Sequence, residues 1–303
     1  MENKTYELLE QLKDNSIDFD SISIRENGKT SYRKIVDGIS FIDKPNSSGF
    51  IMKINKGTKD KCVHIPVVIT QDNLNETVYN DFLIQDDSEV IIIAGCGIHN
   101  NAHEMVSHNG IHSFKIGKNC KIKYIEKHLG LGDNLNKVLN PTTKIVLGEN
   151  SKFDMETFQI KGVSFADRKT YASLKDGASL IINEKIMTST TEVAKTFFKV
   201  NLKGKNSSVE VVSRAVAKDK SRQTFSSNLI GENKCFGHVE CDGIISENAK
   251  MVSIPKIEAL HVDAMLIHEA AIGKISEEQT LKLMTLGLNQ DEAEKKIIEG
   301  FLK

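Results

Sequence analysis

At 303 residues, with 39% hydrophobic and 27% charged side chains, the chain is long enough for one large domain or two ordinary ones and has apolar content sufficient for a core. Forty basic residues against 41 acidic ones leave a net charge of -1, which removes the electrostatic case for nucleic acid or an anionic membrane as partner. The longest apolar stretch, Val90 to Ala94, falls far short of the roughly 20 residues a membrane helix needs. Met1 to Thr5 is charged and lacks a signal core, so a soluble cytoplasmic protein is expected. Five cysteines at irregular spacing in such a chain point to free thiols rather than a disulfide framework.

Residues 1–60 read as an N-terminal segment, with a short helix predicted from Tyr6 to Leu12 and a turn at Pro45-Asn46-Ser47-Ser48-Gly49. Residues 61–262 carry a recurring turn word followed by an alternating run. The words begin at Asp86, Gly117, Gly148, Asp176, Gly204, Gly231 and Ser246, in steps of 31, 31, 28, 28, 27 and 15 residues. A period of this size marks a solenoid or another stacked array. Runs such as Lys121 to Ile125 and Ser208 to Val212 alternate with period two and predict strands with one buried face. Gly and Asn recur in the words because tight corners need positive φ. Strands at this spacing without intervening helices predict a mainly β fold, a right-handed parallel β-helix; a large sandwich or jelly roll is the alternative. Residues 263–303 read as a C-terminal helical segment. Ser276 with Gln279 and Asn289 with Glu292 have capping-box spacing, and Gly287 separates the two helices. Leu281, Met284 and Leu288, matched by Ala293, Ile297 and Phe301, predict a helical hairpin that could cover the end of the solenoid.

Two runs carry possible chemistry. Gly95-Cys96-Gly97 precedes His99, His103, His108 and His112. Flanking glycines would expose the thiol, and nearby imidazoles would lower its pKa, as a sulfur carrier requires. The same loop allows a structural zinc held by Cys96, His99, His103 and His108, although the spacing is loose. The second run is His268-Glu269, set between Leu266-Ile267 and Ala270-Ala271-Ile272. Imidazole and carboxylate both ligate iron, and charged residues in an apolar run must be paired or used. No phosphate-binding Gly-x4-Gly-Lys-Ser/Thr word occurs.

The words Cys235-Phe236-Gly237-His238-Val239-Glu240-Cys241-Asp242, Ile254-Pro255-Lys256-Ile257-Glu258, His268-Glu269 and Leu286-Gly287-Leu288, in this order, resemble the SufB/SufD family of iron–sulfur cluster assembly proteins. The resemblance implies a non-catalytic scaffold subunit that carries a transient iron–sulfur cluster and uses ATP only through a partner. Cys96 then becomes the sulfur acceptor, served by a sulfur donor protein. His268 and Glu269 become metal and cluster-site residues at a protomer interface. The helical hairpin becomes the dock for a SufC-like ABC ATPase. Because the chain mixes features of both subunits, a homodimer in place of the SufB–SufD pair is expected. The sequence departs from the pattern at Ala249, which stands where SufB carries a cysteine, and at Glu126-Lys127-His128, which stands near the family's Gln-Asn-Trp word. Cys241 or Cys235 could supply the missing thiolate. The rival expectation is a structural subunit that recruits the ATPase and holds no cluster. A solenoid carbohydrate-active enzyme fits less well, since the chain has no Trp and only five Tyr for sugar platforms.

Overall fold

The structure, a computed structural model, describes residues 3–14, 16–101, 104–132, 136–160 and 162–303. In chain order its elements are α1 (Asn3–Leu12), β1 (Ser21–Glu26), β2 (Lys29–Lys34), β3 (Ile39–Asp43), β4 (Phe50–Ile54), β5 (Lys61–Ile69), β6 (Asn75–Ile84), β7 (Glu89–His99), β8 (Val106–Ile116), β9 (Lys121–Leu131), β10 (Lys137–Leu139) and β11 (Thr142–Leu147). Then follow β12 (Lys152–Gln159), β13 (Phe165–Leu174), β14 (Ser179–Thr188), β15 (Val193–Leu202), β16 (Ser207–Ala217), β17 (Arg222–Gly231), β18 (Cys235–Ile245), β19 (Lys250–Ala259), β20 (Ala264–Gly273), α2 (Glu277–Met284) and α3 (Gln290–Phe301). They wind into a β-solenoid of about 7 turns. From β4 onward the chain alternates between two sheets, β10 and β11 together filling one place, and the orders are β2-β1-β5-β7-β9-β12-β14-β16-β18-β20 and β19-β17-β15-β13-β10-β8-β6-β4-β3, with β11 also joining β13 and β8.

The alternation of the sequence becomes the alternation of the wall. In β14 the even positions from Leu180 to Thr188 point inward and are buried, while the odd ones face outward. Strands β13, β15 and β17 repeat this in unbroken parallel register. The lumen is filled by stacked side chains, among them Phe82 on Phe114 with ring centroids 4.2 Å apart and planes 8° from parallel. At the corners the two turn residues divide the work. Asn119, Asn150 and Asn206 take the positive φ. The preceding glycines are needed for closeness instead: a Cβ on Gly148 would lie 2.1 Å from the Gly117 carbonyl oxygen of the coil beside it.

The N-terminal segment is continuous with the solenoid. β1 pairs with β5 and β4 with β6 in parallel, while the β1–β2 and β3–β4 hairpins close that end. At the other end β20 pairs with β18 throughout, so the solenoid runs on to Gly273, past residue 262. Two expectations about the hairpin need correction. Ser276 is the N-cap of α2 but its side chain makes no capping bond, whereas the Asn289–Glu292 box is complete. Nor does the hairpin cover the last coil. Its C-terminus bonds the side of the first sheet, where Lys185 Nζ donates to the Lys303 carbonyl at 2.8 Å and Arg214 to that of Phe301 at 3.4 Å. Leu281 is accordingly 61% exposed, and Thr280, Ala293 and Ile298 are the hairpin's buried residues.

Candidate functional site

Cys96 lies on β7 at the parity of Ile92, Ala94 and Ile98, so its thiol faces the lumen. It is buried, and burial, followed by the charges of Glu76 and Glu126, raises its pKa well above the ordinary thiol value. The exposed, acidified thiol expected from its neighbours is therefore not what the fold builds. Gly95 and Gly97 point outward, beneath α1. A Cβ there would meet Leu12 Cδ2 at 3.0 Å and Leu8 Cδ2 at 2.9 Å, so these glycines let the helix lie close on the sheet. His99, three residues beyond Cys96, faces the opposite side of the strand, so the two cannot share a zinc ion. His103 lies outside the described residues, and no metal-holding group of three or more His, Cys, Asp or Glu is formed among those described.

Around Cys96 the lumen turns polar. A cavity of about 30 Å³ is lined by Arg25, Cys96, His108, His112, Glu126 and His128 among others. On one side Arg25 donates to Glu76 at 2.9 Å, and Glu76 bonds His108 Nδ1 at 2.9 Å. On the other, Glu126 accepts from Tyr124 at 3.0 Å and forms a buried ion pair with Arg168. Arg168 also reaches His128 Nδ1 at 2.7 Å and sits 3.6 Å from Glu184, which accepts from Thr196 and Ser213. Burial opposes charge on Glu126, but His128 and Arg168 outweigh it and hold the carboxyl below its usual range. Burial drives His112 down to about 4 and His128 to about 3, so both imidazoles are neutral near pH 7. Glu184, two coils beyond Glu126 in the first sheet, is pushed up by burial. Reading motifs alone missed Arg168 and Glu184. Parity would have found them: each sits at an inward position of a strongly alternating strand, where an aliphatic residue is ordinary.

The solenoid ends in an open coil. β19 and β20 are the outer strands of their sheets, and apolar side chains stand exposed along them and their connection, including Ile254 (52%), Val262 (96%) and Met265 (59%). His268 faces inward at this mouth, 3.4 Å from Ser227 Oγ and against the Phe225 ring, with its Nε2 buried and unpartnered. Burial, then the His238 charge, lowers its pKa. Glu269, the next residue on the strand, faces outward and lies 3.4 Å from His238 Nε2. The pair expected to act together is thus split across the wall. Cys241 is inward on β18, beside Ala270 in register, and burial raises it to about 11. Cys235 is buried too, with its pKa raised by the same cause. Ala249 occupies the turn leading into β19, its amide bonded to the Ser246 carbonyl.

The family model for the SUF system FeS cluster assembly SufBD core domain matches residues 68–301. The chain belongs to the SufB/SufD family. An iron-sulfur cluster assembly SufBD family protein of Archaeoglobus fulgidus is 31% identical over 268 residues, covering 86% of this chain and 70% of that one. A SufBD family protein of Methanothermobacter thermautotrophicus is 29% identical over 237 residues, 77% of this chain but 57% of the relative, so this chain spans only part of that protein's length. The Bacillus subtilis iron-sulfur cluster assembly protein SufB is 33% identical over 102 residues, 32% of this chain and 22% of that one. Membership of the SufB/SufD family implies involvement in iron–sulfur cluster assembly. No helix among the described residues is long and apolar enough to cross a membrane.

Proposed function

We propose that the chain is a scaffold subunit on which an iron–sulfur cluster, as cargo, is built at the open final coil, shared with a second copy of the chain. The observation that carries this reading is that coil: two unpaired sheet edges, exposed apolar side chains, and the buried, unpartnered Nε2 of His268 at its mouth. An exposed sheet edge is a template for another strand. Pro255 removes a donor from β19, whereas β20 has no proline, so symmetric pairing is expected through β20. That would bring the two copies' His268 to one seam on the inner face, with Cys241 behind as the thiolate, and their Glu269 to the outer face of the same seam. Cys96 would accept sulfur inside the lumen. Its sulfur attacks the outer sulfur of a donor persulfide, the donor's S–S bond breaks, and the Cys96 proton passes to the departing donor sulfur, which leaves as a thiol. ATP hydrolysis would come from a SufC-like ABC ATPase docked on the hairpin, where Leu281 and Leu286 are exposed.

A second reading, a subunit that recruits the ATPase and holds no cluster, is favoured by Ala249 and by the burial of all five cysteines. Anaerobic reconstitution with iron and sulfide decides between them. The scaffold reading expects the charge-transfer absorption of a cluster in the wild type, its clear loss in folded His268→Ala, and reduced persulfide loading from a cysteine desulfurase in Cys96→Ser by mass spectrometry. A wild-type protein that stays colourless favours the recruiting subunit, and equal sulfur loading removes Cys96 from the scheme.

A further inference from the structure

The chain is nearly neutral, yet one face is not. On the outer side of the second sheet the register brings Lys144, Tyr171, Lys199, Asn228 and Lys256 into one row across β11, β13, β15, β17 and β19. Beside it Lys169 lies next to Phe197, and Lys195 spans to Phe165, with its Nζ 5.7 Å from the ring centroid. Arg222 and Lys250 are direct neighbours on β17 and β19. The outward carboxylates on these strands are Asp167 and Glu258, and each is already paired within its own strand, to Lys169 and Lys256, both at 2.8 Å. Protection of a sheet edge by lysine accounts for Lys250 and Lys256 on the edge strand. It does not account for Lys144, Lys195 and Lys199 on interior strands. Like charges on neighbouring strands, as at Arg222 and Lys250, weaken a sheet and are retained at a cost. α1 lies on the first sheet and the hairpin bonds the first sheet's flank, so the basic face is left open.

We infer that this face docks an acidic protein that receives the cluster. The inference rests on the scaffold reading above and names its acceptor by charge. The open sheet face suits a protein surface, the lysines steer an acidic one, and half-exposed aromatics at Tyr171 and Phe197 supply apolar anchors. β19 borders both this face and the open coil, so a docked acceptor lies next to the proposed assembly mouth. Single-stranded nucleic acid would feel the same charge, but base stacking needs free ring faces. Here the Phe165 ring is taken by Lys195, and Tyr171 and Phe197, 5.8 Å apart, are tilted 60° to one another and present no common stacking platform.

The test titrates the full chain with an acidic apo-ferredoxin, and separately with a single-stranded oligonucleotide, at low and physiological salt. The expected result is salt-sensitive binding of the apo-ferredoxin that weakens at least tenfold in Lys144→Glu/Lys195→Glu/Lys199→Glu. The control Lys121→Glu/Lys152→Glu, on the outer face of the first sheet, should bind as the wild type does. Absent wild-type binding, an unaffected triple variant, or tighter binding of the oligonucleotide overturns the inference. Iron and sulfide loading of the triple variant is read alongside: normal loading with lost binding supports the docking face, whereas a wild type that binds but never loads fails the scaffold reading alone.

Discussion

His64, His112 and His128 are buried neutral imidazoles, the first two driven by burial to about 4 and the third to about 3. His64 has no partner for either ring nitrogen and lies tilted against Phe19, with ring centroids 5.0 Å apart. An unfolded chain takes up these protons near the ordinary histidine value of about 6.5, while the folded chain refuses them until about pH 4. The unfolded state therefore binds more protons across that window, and stability must fall as pH falls. Three such groups give a limiting slope of about 4 kcal/mol per pH unit. Urea unfolding should show constant stability from pH 8 to 7 and a steep decline from pH 6.5 to 5, with the slope reduced by one proton in His64→Phe. A flat profile through pH 5 would mean that the imidazoles are hydrated in the native state. Of these three, only His112 belongs to the histidine run legible in the sequence, and the burial of all three was not legible, because it depends on strands from neighbouring coils.

The two C-terminal helices make a controlled comparison of capping. Asn289 accepts from the Glu292 amide at 2.9 Å, and Glu292 accepts from the Asn289 amide at 2.8 Å. Ser276 has the right sequence but no side-chain bond. Asn289→Ala should cost about 1 kcal/mol, while Ser276→Ala should cost a few tenths at most. Thermal melts followed by hydrogen exchange in α2 and α3 check this, and equal effects would contradict the geometry. The exposure of Leu281 carries a second expectation for this element. Leu281→Asp should leave the melting temperature nearly unchanged, since surface changes are usually within about 0.5 kcal/mol. Capture of the cognate ATPase should nonetheless fall; retained capture would place its dock elsewhere.

At the scale of the molecule, the solenoid closes one end with hairpins and leaves the other open. Burying a large apolar side chain contributes about 1.5–3 kcal/mol, so the exposed side chains of the last coil are an incentive to pair. Met265→Asp/Ile267→Asp should weaken self-association at least tenfold while leaving the solenoid folded. Sedimentation velocity over a concentration series reads this directly, and a wild type that stays monomeric at the highest concentration would exclude the homodimer.

Sequence by itself determined the wall of the protein. A recurring corner word and a period-two run depend only on neighbours along the chain, so strands, corners, the solenoid and the two terminal helical regions could all be read from residues such as Asn119, Asn150 and Asn206. Tertiary structure alone decided what those elements do with their side chains. It turned Cys96 inward and gave its glycines to α1, split His268 from Glu269 across β20, and placed Arg168 against Glu126 from a strand 42 residues away. It also left the final coil bare by setting the hairpin on the flank. Each of these depends on which coil stacks on which, and on which face of the wall another element covers, and neither is written in local spacing.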